Sequence, residues 1–277
     1  LKIFNFRDFD SFNLSMTLIS SGGFLPFNNL SIVLNSNAKQ VIFSLLMLIS
    51  FFSIFLTYNV IFLKNRNLNF FQEDLYLLFY LFALVIIFFS FLNFEHDFSL
   101  LFFSIVSSIS NIGFSLGNSP KNLSFIFLLL VIVGGSFFST SSGLRFLKLV
   151  ALFKFSINQI ISNAKPKNVF INKLSFSEKI MDTSDFYKYF LTILVFLISL
   201  IILTTILTIY GLNLEESFKI SVLTLMNTTN SSLSGLSGFN FSELNYFTKQ
   251  SIILFMIIGR VELLSILIIF KKFFFKN

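Results

Sequence analysis

Three short clusters of small and hydroxylic residues have the composition to hold a dehydrated cation: Ser20-Ser21-Gly22-Gly23, Ser110-Asn111-Ile112-Gly113 and Asn227-Thr228-Thr229-Asn230. Backbone carbonyl and hydroxyl oxygens replace the hydration shell of an alkali ion without presenting a fixed charge. Glycine suits such a loop because it takes φ > 0 and lets the backbone approach the ion; Gly22 and Gly113 fit that role. Each cluster directly follows an apolar run of about half the membrane thickness: Asp10–Ile19, Phe98–Ile109 and Ser217–Met226. A helical crossing needs about 20 apolar residues. Runs this short read as re-entrant or buried segments, or, taken singly, as interfacial helices followed by ordinary turns. A helix that stops at mid-membrane aims its partly negative C-terminus at a cation.

Thiolate and zinc chemistry lack their residues. The chain holds no Cys, one His (His96) and no HExxH pattern. That excludes disulfides and thiolate metal sites and leaves little for a zinc enzyme. Glu95-His96-Asp97 reads as a solvated turn. Only 12% of residues are charged and the mean hydropathy is +0.84, whereas soluble domains carry about 25% charged residues. The surplus apolar surface needs lipid as its solvent. The net charge of +7 does not point to nucleic acid. Lys and Arg gather at the ends of apolar runs, where they orient membrane segments.

Five longer stretches have the length to position the clusters. They are Gln40–Leu63, Leu75–Leu92, Leu123–Val133 continuing through a Gly/Ser break to Leu144–Ile161, Phe186–Tyr210, and Leu244–Phe275. The order of long helix, half-length helix, polar cluster and long helix recurs along the chain, and the first copy lacks its leading helix. A weak internal repeat in a membrane protein points to a site where the repeats meet. If the half-helices enter from outside, the cytoplasmic connections carry Lys64, Arg66, Arg145, Lys148, Lys154, Lys165, Lys167, Lys173 and Lys179, and the C-terminus carries Lys271, Lys272 and Lys276. The opposite side carries Glu95, Asp97, Glu215, Glu216 and Glu243 with few bases, Lys39, Lys121 and Lys249, and this bias of Lys and Arg sets the orientation.

Two features interrupt the apolar pattern. Gly134, Gly135, Ser136, Ser139, Thr140, Ser141, Ser142 and Gly143 break one helix around the pair Phe137-Phe138. Small residues permit close helix packing in membranes, but this density exceeds what packing needs. Arg260 stands in the middle of the last apolar run, where a charge costs about 2.5–3.5 kcal/mol on insertion scales. It must face the bundle interior or water, either as a structural group satisfied by carbonyls or along an ion path.

These segments carry a family resemblance. FDSFNLSMTLISSGGF, FSIVSSISNIGFSLG and SVLTLMNTTNSSLSGLSG resemble filter loops two, three and four of the Trk/Ktr/HKT potassium transporters, specifically the bacterial TrkH type. IVGGSFFSTSSGLRFLK resembles the family's intramembrane gate loop, KPKNVFINK its cytoplasmic stretch after the third repeat, and FTKQSIILFMIIGRVELLSILIIF its last helix with a GR-x-E core. The resemblance runs in order along essentially the whole chain. The family's first filter loop and its flanking helices have no counterpart, and the chain opens on Leu1 without a signal peptide, so we expect a C-terminal portion of a longer pore.

The resemblance implies an all-α, polytopic membrane protein with re-entrant helix–loop repeats. Residues 1–70 form a partial second repeat. Residues 71–164 form the third, with the gate loop. Residues 165–277 form a cytoplasmic connection and the fourth. It implies a filter of Ser20, Ser21, Gly22, Gly23, Asn111, Ile112, Gly113, Thr228, Thr229 and Asn230, with potassium held by oxygens near Ser21–Gly22, Ile112–Gly113 and Thr229–Asn230. The gate comprises Gly134, Gly135, Ser136, Ser139, Thr140, Ser141, Ser142, Gly143 and Arg260. Asn230 stands where the family's fourth loop has glycine. The activity implied is potassium uptake without bond chemistry or cofactor, in a bacterial inner membrane with the C-terminus cytoplasmic. A homodimer and a cytoplasmic nucleotide-binding regulatory subunit of the TrkA type are the partners implied, with no nucleic acid. The basic run Lys165–Lys179 would face anionic lipid or that subunit. The rival expectation is a non-conducting membrane protein, either a truncated gene product or a structural partner in a split pore.

Overall fold

The computed structural model describes residues 7–26, 30–54, 56, 69–91, 97–116, 123–164, 183–228, 233–236 and 239–260. Among them the regular structure is helical, with one isolated backbone bridge and no strand. In chain order the helices are α1 (Asp8–Ser20), α2 (Asn37–Phe51), α3 (Asn69–Phe91), α4 (Phe98–Ile109), α5 (Ser124–Ile132), α6 (Phe146–Ala164), α7 (Thr183–Ile209), α8 (Leu214–Leu225) and α9 (Tyr246–Arg260).

Two stretches among the described residues are long and apolar enough to cross a bilayer, Glu73–Ser90 in α3 and Phe186–Ile209 in α7. In α7 the inner stripe Phe196, Leu200, Leu203 and Leu207 recurs at helical spacing and packs against α8. Leu194, Leu197, Ile198, Ile201 and Ile202 are exposed on other faces. An apolar outer surface of this kind is what lipid solvates.

The half-helices differ from these spans in length and burial. α1, α4 and α8 have 13, 12 and 12 residues, about 18–20 Å at 1.5 Å per residue, against a hydrocarbon core of about 30 Å. α4 carries no charge and is buried from Leu101 to Ile109, and its serines Ser104, Ser107 and Ser108 satisfy their hydroxyls on backbone carbonyls. α2, α3 and α5 pack on it, while α7, α9 and α5 surround α8. Phenylalanine fills the gaps: Phe43 lies against Phe103 and Phe114, and Phe88 stacks on Phe127 at 6.0 Å.

One expected span is shorter than its apolar run. α2 ends at Phe51, where the Gln40–Leu63 run reads as continuous. The backbone turns at Phe52 and Ser53, and the Asp74 carboxylate of α3 accepts from both the N–H and the Oγ of Ser53, at 2.9 and 2.6 Å. The break leaves the carbonyls of Ser50 and Phe51 without helical partners. They are used by the Gly134–Gly143 segment.

Candidate functional site

The three loops share one backbone device. Each half-helix is followed by a non-glycine residue in the left-handed region: Ser21 (φ 50°), Asn111 (φ 57°) and Asn227 (φ 52°). A reverse-turn hydrogen bond then closes each helix end, from Gly22 N–H to Thr17 O, from Gly113 N–H to Ser107 O, and from Thr228 N–H to Leu223 O. Such bonds satisfy carbonyls that a helix terminus otherwise leaves bare. In the first two loops a hydroxyl ties the returning strand to the helix: Thr17 Oγ1 donates to Phe24 O at 2.9 Å and Ser107 Oγ to Phe114 O at 2.7 Å.

This register pairs Gly23 (φ 72°) with Gly113 (φ 77°), each two residues beyond its left-handed residue. The expectation paired Gly22 with Gly113. Gly22 lies one position earlier and has no positive φ that requires glycine. In the third loop Thr228 is described, but Thr229 and Asn230 lie outside the described residues. Ser20 closes α1, and Ile112 is fully buried beside Gly113.

The Gly134–Gly143 segment does interrupt a helix, between α5 and α6. A parallel bridge between Val133 and Leu144 pinches its ends together, with Gly134 N–H donating to Leu144 O at 2.8 Å. The segment is stitched to the broken end of α2: Ser136 N–H donates to Phe51 O, Ser141 N–H to Ser50 O, and Ile54 N–H to Phe138 O, at 3.0–3.1 Å. A β-carbon on Gly135 would collide with Phe51 O, so glycine is what lets the two backbones meet.

Arg260 joins this segment to the first loop. Its Nη1 donates to Ser142 Oγ at 2.9 Å and its Nη2 to Ser20 O at 3.2 Å. Thr140 Oγ1 donates to the neighbouring Ile19 O at 2.7 Å. The C-terminal carbonyls of α1 are therefore taken by Thr140 and Arg260, a cation at the negative end of the helix dipole. Sequence reasoning had aimed that end at a free ion. Gly259 allows the approach of α9, since a β-carbon there would collide with Leu225 O at the end of α8.

Four ionisable residues of this region escaped notice as site residues. Arg145 had been counted with the topology-setting charges, but its Nη1 lies 3.1–3.2 Å from Ser136 O, Ser139 O, Ser139 Oγ and Ser141 O inside the interrupted segment. Lys148, one turn on, is buried in the same region. It lines a cavity of about 40 Å³ with Arg145, Thr192, Met226 and Gly259. Glu73 accepts from Phe137 N–H at 2.9 Å and lies within electrostatic reach of Arg145. Asp74 beside it holds Ser53. The available signal was the Glu73-Asp74 pair at the head of an apolar run, where an ionisable residue is costly and so usually functional.

At the other end of α8, Glu215, Glu216, Lys219, Asn240 and Glu243 line an open cavity of about 630 Å³. Lys219 Nζ bonds Glu215 at 2.6 Å, and this bond with its charge holds the exposed Glu215 carboxyl below the usual range. No cluster of His, Cys, Asp and Glu among the described residues has the arrangement of a metal site. Glu95, His96, Lys64, Arg66, Lys165–Lys179 and the C-terminal lysines lie outside the described residues.

No family model matches the chain. It is similar to the Trk system potassium uptake protein TrkH of Halomonas elongata, with 24% identity over 97% of this chain and 57% of that protein. The same-named protein of Escherichia coli K12 is 26% identical over 64% of this chain and 36% of its own length. An uncharacterised cation transporter of Methanocaldococcus jannaschii is 23% identical over 97% of this chain and 55% of that protein. The crystal structure of the potassium transporter TrkH from Vibrio parahaemolyticus superposes with a TM-score of 0.80 at 19% identity, covering 94% of this chain and 58% of that one. The chain thus has the fold of a TrkH-type membrane transporter and spans about half the length of the curated relatives it matches.

Proposed function

We propose that this TrkH-like chain contributes part of the pore of a potassium-uptake protein, with no chemical step and no cofactor. The observation that carries the reading is the repeated loop base: three half-helices, each followed by a left-handed residue and closed by a reverse-turn hydrogen bond. The sequence and fold likenesses agree with it. Potassium enters down the membrane potential, worth about 2.3 kcal/mol per 100 mV for one charge. Backbone oxygens near Ser21–Gly23, Ile112–Gly113 and Thr229–Asn230 replace its water. Below them the Gly134–Gly143 loop and Arg260 limit passage. The resemblance adds a bacterial inner-membrane location with a cytoplasmic C-terminus, a homodimer and a TrkA-type regulatory subunit.

The stitching of the Gly134–Gly143 loop to α2, Arg145, Glu73 and Arg260 supports its reading as a gate rather than a packing accident. A loop needed only for close packing has no use for two arginines and a carboxylate. Growth of a potassium-uptake-deficient bacterium at low external K+ tests the function, using the full-length protein that contains this chain. Rescue is expected, and shortening Gly134–Gly143 is expected to raise basal cation flux. Absence of rescue by well-expressed protein favours the non-conducting structural role.

A further inference from the structure

We propose that Ser21, Asn111 and Asn227, the left-handed residues at the base of the three loops, couple the position of the gate segment to the geometry of the filter. The inference rests on reading those loops as a filter and Gly134–Gly143 as a gate. Non-glycine residues are disfavoured at positive φ, serine more than asparagine, whereas glycine enters that region freely. The chain places glycine two residues further on, at Gly23 and Gly113, yet puts serine or asparagine at the base each time. At Ser21 the strain calls for a side chain that does what glycine cannot, and at Asn111 and Asn227 the contacts of the amide carry the argument.

In the three loops the base side chain reaches either the gate segment or the helix that carries Arg260. Ser21 Oγ donates to Thr140 O at 2.9 Å, within the gate segment. Asn227 Nδ2 donates to Met256 O at 3.0 Å on α9, one turn before Arg260, which holds Ser142. The Asn111 amide abuts the far end of the segment, where a β-carbon on Gly143 would stand 3.1 Å from Nδ2. Asn111 is only 1% exposed, and among the described residues neither its Nδ2 nor its Oδ1 has a hydrogen-bond partner. A buried unpaired amide is costly. A gate movement that brings a backbone carbonyl to Nδ2 removes that cost, so Asn111 favours a second position of the segment. The base residues act through the gate backbone as positioning residues rather than as ion ligands.

A double-mutant cycle tests this. Ser21→Ala, Asn111→Ala and Asn227→Ala are placed in the full-length protein, with the gate intact and with residues 137–142 removed. Arg260→Leu replaces the deletion if the shortened protein does not accumulate. The readout is Rb+ over Na+ selectivity of uptake. With the gate intact, Ser21→Ala and Asn227→Ala are each expected to lower the ratio roughly threefold to tenfold, the scale of one lost hydrogen bond. Ser21→Asn, which reproduces the base residue of the other loops, retains it. With the gate disrupted, the alanine variants have no further effect. Equal losses in both backgrounds, or none with the gate intact, overturn the proposal. Hydrogen exchange at the Gly22, Gly23, Ile112 and Gly113 amides gives a readout that needs no flux. Gate disruption is expected to speed it about tenfold, and unchanged exchange overturns the coupling. A protein that carries no Rb+ but shows faster exchange sinks the transport reading and leaves the coupling standing.

Discussion

Arg145 and Arg260 do different work on the same loop. Arg145 sits within it, one guanidinium nitrogen facing four of its oxygens, whereas Arg260 ties it to α1 from another helix. Hydrogen bonds to a charged group contribute about 1.5–3 kcal/mol. Arg145→Met is therefore expected to loosen the loop and raise basal Rb+ leak; leak equal to the parent's contradicts the assignment. For Glu73, Glu73→Gln keeps an acceptor for Phe137 N–H and leaves the loop in place. Glu73→Leu strands that N–H and is expected to raise leak as well. The two arginines were not equally legible. Arg260 stands in the middle of an apolar run and calls for a partner on any reading. Arg145 stands at the end of an apolar run beside Lys148, where a topology-setting charge looks the same. Only the backbone pinch between Val133 and Leu144 turns it inward.

The half-helices were legible from length alone, because runs of ten to twelve apolar residues cannot cross a bilayer. Introducing cysteine at positions 95 and 121, on either side of α4 in this Cys-free chain, tests that. Both are expected to react from the same face, and labelling from opposite faces contradicts re-entry. The break in α2 was hidden, since the sequence stays apolar through Phe51 and Phe52. What ends the helix is a set of partners distant in sequence, Asp74 and the Ser136–Ser141 backbone, which local periodicity does not report. Loop register was likewise hidden in Gly22-Gly23, where adjacent glycines offer two alignments and only the φ of Ser21 decides. Counting two residues from Asn227 reaches Thr229, not Asn230. Thr229→Gly is therefore expected to raise K+ over Na+ selectivity in competition uptake more than Asn230→Gly does. The opposite order restores the alignment drawn from the family resemblance.

At the scale of the whole molecule, Ser21 bonds the stitched segment, Asn111 lies against its end and Asn227 bonds α9 one turn from Arg260, while apolar faces such as that of α7 turn outward. Membrane residence was readable from composition, the order of long and short segments from spacing, and the fold class from the family resemblance those segments carry. The network that joins loops to gate was not, because its bonds link residues more than a hundred positions apart. The account's central claim is that these parts conduct potassium. Its most direct measurement is Rb+ uptake into proteoliposomes holding the full-length protein. The account predicts uptake above that of empty liposomes, driven by an inside-negative potential and suppressed more by K+ than by Na+. Uptake no greater than in empty liposomes, from protein shown to be folded and inserted, contradicts it.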